Sequence, residues 1–162
     1  MSILIVTRNQ AIDRESRRPQ FVIESNSSSF FQSHNLSSKL NFSINLLNSG
    51  QNSASFVKIR YLIWDLNFNK VHEFETSHSN SVPNKSFIPL NTDYFDFANL
   101  EGKGFISIHL VYLDRHLNME FSDLLAYKVD LSGIININHL NPPPQEFLNC
   151  TMDDYLKFDA VD

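Results

Sequence analysis

The stretch Leu40-Asn41-Phe42-Ser43-Ile44-Asn45-Leu46 alternates apolar and polar residues without a break. In an extended backbone successive side chains point to opposite faces, so the four apolar residues line one face and Asn41, Ser43 and Asn45 the other. That is the signature of a strand with one face in a core and one in water. The run ends at Asn48-Ser49-Gly50-Gln51-Asn52-Ser53, where Asn and Gly can take left-handed backbone angles. Alternation then resumes, with Val57, Ile59, Tyr61 and Ile63 set against Lys58 and Arg60. The two strands form a hairpin or a corner between two sheets.

Working outward, Phe21-Val22-Ile23 follows Pro19 as an opening edge strand, with a frayed helix over residues 8–18. Asp65 to Lys70 is a turn, residues 71–75 a short strand and residues 76–85 a polar loop. Phe87-Ile88-Pro89-Leu90 reads as an edge strand, because proline has no N–H to give to a ladder. Gly102-Lys103-Gly104 releases the chain into Ile106, Ile108, Leu110 and Tyr112, and after a turn around Asn118 the pattern returns at Leu125, Tyr127, Val129 and Leu131. About seven short strands with no long helix predict an all-β fold, an immunoglobulin-like antiparallel β-sandwich. The expected organisation is an N-terminal arm over 1–18, the sandwich over 19–133 and a Pro-containing tail over 134–162. In that tail Pro142-Pro143-Pro144 forms an extended spacer, and Thr151 caps a short helix whose Met152, Tyr155 and Leu156 share a face. Docking of that helix on its own domain is favoured over docking on a partner.

At 162 residues, with 42% hydrophobic and 19% charged residues, the chain suits one domain that buries its own core. A net charge of -5 supplies no electrostatic footprint for nucleic acid or an anionic bilayer. Arg8, Arg14, Arg17 and Arg18 read as solvated linker charge. Cys150 is the sole cysteine, so an intrachain disulfide is excluded and a reducing compartment favoured. The apolar run Ile3-Leu4-Ile5-Val6 is too short for a signal-peptide core or a membrane span, which leads to the expectation of a cytoplasmic protein.

The segment Arg17-Arg18-Pro19-Gln20-Phe21-Val22, the strand from Leu40 to Asn48, and Gly50 and Ala54 ahead of Val57 together resemble bacterial immunoglobulin-like domains of the cell-adhesion-related (CARDB-like) type. Tyr112-Leu113-Asp114, Asn118 and Phe121 resemble the final hairpin of those domains. The resemblance spans residues 17–132 and implies a β-sandwich used for binding. Two departures stand out: no spanning helix precedes the Arg-Pro element, and Trp64 has no disulfide to pack against.

Chemistry-bearing patterns are incomplete. Asp65-x-Asn67-x-Asn69 begins like a calcium loop, but Lys70 replaces the turn glycine and Thr76 the bidentate glutamate, so a strand-connecting turn explains it better. The six histidines show no zinc spacing, and no serine or cysteine sits in a nucleophile elbow. The expectation is therefore a non-enzymatic protein-binding or self-assembling module with no cofactor and no metal. Its candidate partner-binding residues are the aromatic and apolar Trp64, Tyr94, Phe95, Phe147, Tyr155, Leu156 and Phe158. Trp64 alternates onto the face opposite Ile63, which makes it an exposed anchor or, the favoured reading, a residue that a bulge turns inward. The alternatives are a carbohydrate-binding or adhesive module using Trp64, Asn67 and Asn69, and a structural component of a virus or phage particle.

Overall fold

A computed structural model describes residues 17–24, 30–33, 39–91, 95–96, 103–130, 135–136 and 144–159. The chain forms two antiparallel sheets. Strand β3 (Lys39–Asn48) is the axis of the first: β1 (Phe21–Ile23) and β2 (Phe30–Ser33) line one of its sides, β6 (Phe87–Asn91) and β7 (Phe95–Asp96) the other. The short β10 (Ile135–Asn136) extends this sheet beyond β2. The second sheet runs in the order β5 (Lys70–His78), β4 (Ala54–Trp64), β8 (Lys103–Asp114), β9 (Met119–Asp130). Helix α1 (Gln145–Asp159) lies against β8 and β9. No helix among the described residues is long and apolar enough to cross a membrane.

The alternating residues meet where the pattern places them. Ile44, Leu46, Ile88 and Leu90 of the first sheet pack on Val57, Ile59, Tyr61, Ile63, Ile106, Ile108, Leu110 and Tyr112 of the second, all of them buried. Each side chain buried at this density contributes about 1.5–3 kcal/mol relative to exposure. Two irregularities interrupt the regular pairing. Between Ser55 and Lys58 the register of β4 against β8 slips, so Phe56 and Val57 together oppose Tyr112, and Phe56 takes a φ of 50°. A bulge of this kind lets Val57 point inward while the Phe56 ring stays in water.

Two sequence expectations change. Residues 76–78 belong to β5 and not to the polar loop, because their backbone pairs with Ile59, Lys58 and Val57; ladder formation overrides the weak strand preference of a polar segment. The helix begins at Gln145, right after the prolines, with the Pro144 carbonyl accepting from the amides of Phe147 and Leu148. Thr151 is thus not a cap: it is buried inside the helix and donates its hydroxyl to the Leu148 carbonyl at 3.1 Å. Of the expected arm over 1–18, residues 1–16 lie outside the described residues, as do 134, 137–143 and 160–162 of the expected tail.

One end of the sandwich is tied together by a single buried amide. Asn48 Nδ2 donates to the carbonyls of Asn52 (2.9 Å) and Val82 (3.0 Å), while its Oδ1 accepts from the amides of Gly50 (3.1 Å) and Gln20 (3.3 Å). Gly50 is required here by close approach, since a Cβ would lie 2.1 Å from the Arg18 carbonyl oxygen. Asp114 links the next turn, accepting from Asn52 Nδ2 and from the amides of His116 and Leu117. Replacing Asn48 by Asp keeps the shape but removes both donors and sets a carboxylate against two carbonyls. Asn48→Asp is expected to lower stability by about 3 kcal/mol or more, read as a lower urea midpoint.

Candidate functional site

The two central strands of the second sheet are buried on both faces, and the outer face carries Trp64, one of the candidate residues. Strand alternation puts Arg60, Leu62 and Trp64 of β4 there, beside Phe105, Ser107 and His109 of β8, their direct cross-strand partners. Sheets exposed on one side do not bury large side chains on that side, so this face needs a cover. Helix α1 supplies it. Phe147, Thr151, Asp154 and Tyr155 recur at helical spacing and are the buried residues among 145–156.

Phe147 is the anchor. Its ring stacks on Phe105 with centroids 4.5 Å apart, meets Trp64 edge-on at 5.7 Å, and touches Phe68, which reaches up from the β4–β5 turn. The indole N–H of Trp64 donates to Ser107 Oγ at 2.9 Å, so the one polar atom of that side chain is satisfied inside the contact. Trp64 remains on the face opposite Ile63, as alternation predicts, yet it is buried. The register slip of β5 at Ile63/Trp64 does not bring it into the inter-sheet core; the helix covers it instead.

Beside this aromatic cluster lies a charged one. Arg60, largely buried, bonds Glu73 through Nη2 (2.6 Å) and Nε (2.7 Å) and reaches Asp154 of α1 through Nη1 (3.0 Å). Lys70 holds the other Asp154 oxygen at 2.9 Å. Asp154 is therefore the polar counterpart of Phe147, fastened by two cations from two strands. His109 sits beneath, fully buried, with its ring edge-on to Tyr155 at 5.3 Å. Burial, reinforced by the charge of Arg60, lowers its pKa to about 4, against the opposing pull of Asp154 and Glu73. It is a neutral imidazole at neutral pH.

The expected partner-binding residues accordingly divide. Trp64, Phe147 and Tyr155 come together, but in an intramolecular contact that leaves them no surface for a partner or a sugar ring. Leu156 is 58% exposed, on the far side of the helix. Met152 is also exposed, so the face shared by Met152, Tyr155 and Leu156 does not exist as expected: Asp154 takes the inward position because two cations neutralise it there. Tyr94 lies outside the described residues; Phe95 contributes backbone to β7, paired with Leu40, and Phe158 belongs to α1. Asp65 spends its carboxylate on its own turn, accepting from the amides of Asn67 and Asn69 and from Asn69 Nδ2. Burial raises its pKa, but these three bonds outweigh it and the net shift is downward.

What the sequence reading missed is a row on the outer face of the first sheet. Val22, Leu47 and Phe87 are direct cross-strand partners on three adjacent strands. Val22 is 40% and Phe87 48% exposed. The signal was present in the sequence, since Leu47 breaks the polar series Asn41, Ser43, Asn45 on the solvent face of β3.

Two outcomes follow for the helix-covered face. Trp64 is the only tryptophan, so its emission reports docking directly. Phe147→Ala is expected to cost about 3–5 kcal/mol of helix docking, seen as a red shift of Trp64 emission and faster amide exchange over 145–156, with core exchange of β4 and β8 retained. The His109 pKa is below its ordinary 6.5, so the unfolded chain takes up the proton first. Its contribution is complete above pH 6.5, falls through the window from 6.5 to about 4 by up to about 3 kcal/mol, and changes no further below it. Urea midpoints measured across that range should show this loss in the native chain and a smaller one in His109→Gln.

No protein-family model and no curated protein matches the chain. Solved structures do match. A Northeast Structural Genomics Consortium target is similar at 12% identity and a TM-score of 0.50, over 80% of this chain and 95% of that one. A Bordetella pertussis protein called ApaA is similar at 8% identity and a TM-score of 0.51, over 72% of this chain and 97% of that one. A β-glucuronidase from Bacteroides uniformis aligns with 67% of this chain but only 14% of its own length, at 8% identity and a TM-score of 0.40. At these identities what the first two share with the chain is the β-rich sandwich fold.

Proposed function

We propose that this chain is a non-enzymatic protein–protein interaction or assembly module built on an immunoglobulin-like sandwich. The observation that carries the reading is the row Val22, Leu47 and Phe87. It crosses three hydrogen-bonded strands, with Val22 and Phe87 exposed on either side of a half-buried Leu47, and Pro89, also exposed, continues it two residues along β6. Isolated exposed apolar residues are ordinary, whereas a contiguous set on a rigid sheet is the composition of an interface centre. A sheet also holds such side chains at fixed spacing, so a partner loses little of its own freedom in meeting them. The resemblance to cell-adhesion-related domains accords with binding as the role, and a net charge of -5 favours a protein partner over nucleic acid.

The test is capture from native lysate by the intact chain and by Phe87→Asp. Phe87 is exposed, so the substitution should move stability by no more than about 0.5 kcal/mol while placing a charge at the centre of the row. Loss of a specific captured protein, with an unchanged melting curve, is the expected result. Capture of the same proteins by both forms, or of none by either, would overturn the reading.

A further inference from the structure

Resting on that reading of the chain as an interaction module, we propose that a second copy of this chain is one of its partners, joined through antiparallel pairing of β9 with β9 about Leu124. Among the described residues β9 is the outer strand of its sheet, with β8 on one side and no strand on the other. It runs for twelve residues, long enough for an outer strand to pair along its second side.

The two edges of this sheet are built differently. The opposite edge, β5, carries Lys70, Glu73 and Glu75 on its outer face, which is the ordinary defence of an edge against pairing. Between Phe121 and Tyr127, β9 has a single charge, Asp123, and that carboxylate is taken internally by Arg18 at 3.3 Å and by the Tyr112 hydroxyl at 2.7 Å. The undefended segment is bounded by Glu120 at one end and Lys128 at the other, both exposed and both on the face that carries α1.

Those charges are placed symmetrically about Leu124. In an antiparallel pair centred there, residue i of one copy meets residue 248 − i of the other, so each Glu120 faces the Lys128 of its mate and the ion pair forms twice. The same register sets Phe121 against Tyr127, an aromatic pair on the inner face, where each is only half-buried in the single chain. Residues paired this way have the same parity, so inner faces meet inner faces and outer meet outer, as one continuous sheet demands. A cavity of about 500 Å³ lies between this strand and the helix, lined by Leu124 and Tyr127 of β9 and by Leu148 and Met152 of α1.

Sedimentation velocity on the full chain over a rising concentration series tests this. Native protein should dimerise. Lys128→Glu and Glu120→Lys should each weaken the dimer at least about tenfold, since each creates two like-charge pairs. An equimolar mixture of the two variants should recover native-strength association, because every facing pair is again of opposite sign. Unchanged Trp64 emission shows that both variants are folded, and amide protection over 120–128 that rises with concentration in the native chain requires no variant. A chain that stays monomeric at several hundred micromolar, or a dimer indifferent to both reversals, overturns the β9 pairing. A monomer that still captures a protein through Phe87 shows that the failure belongs to this pairing and not to the interaction reading.

Discussion

Strands β4 and β8 are buried on both faces, and this double demand organises the molecule. Ile106, Ile108, Leu110 and Tyr112 need one cover, and Phe105, Ser107 and His109, interleaved with them, need another. The first sheet provides the one and α1 the other, which makes a three-layer stack of sheet, sheet and helix. The helix delivers a single large ring, Phe147, into a socket made by Trp64, Phe105 and Phe68, and one carboxylate, Asp154, to the cations beside it. With the face closed in this way, the aromatic side chains that look most like partner anchors are committed within the chain.

The charged half of that contact works by specificity more than by strength. Taking Arg60 and Asp154 out of water costs several kcal/mol before their attraction returns it, so the pair adds little net stability. It does fix the register of the helix: a slide of one turn would leave Arg60 facing an uncharged residue at 150 or 158 in place of Asp154. Phe147 supplies the affinity and Asp154 the position. The buried neutral His109 is compatible with this arrangement only while it stays unprotonated, since a second cation beside Arg60 would oppose the existing one.

The sandwich itself was legible in the sequence because period-two alternation states directly which side chains share a face: Ile44 and Leu46, Ile59 and Tyr61, Ile108 and Leu110 are all where it puts them. The helix contact was only half legible. Phe105, Val111 and Leu113, set between the alternating residues of β8, hint at burial on a second side, but Ser107 and His109 interrupt the run, Asp154 reads as a solvent residue, and its inward position depends on Arg60 and Lys70, 94 and 84 positions away. Thr151 misleads for a related reason. A threonine three residues before an acidic one looks like a helix start, yet Pro144 with its fixed φ begins the helix sooner and leaves Thr151 to satisfy its hydroxyl on the preceding turn. The bulge at Phe56 left no mark in the alternation, which continues through Val57 as though the strand were regular.

Among the described residues, the row on the first sheet and the edge of the second are surfaces of different physical kind. The row Val22, Leu47 and Phe87 offers side chains from strands whose backbone bonds with one another are already made, so anything docking there is recognised by shape and apolar contact alone. The β9 edge offers backbone as well, and pairing there is directional and register-sensitive, because a slip of one residue would turn the inner residues outward. Binding through one need not disturb the other, since they belong to different sheets. A domain with one apolar face and one register-locked edge can join a like copy and a different partner at the same time, which is the arrangement an assembly module requires.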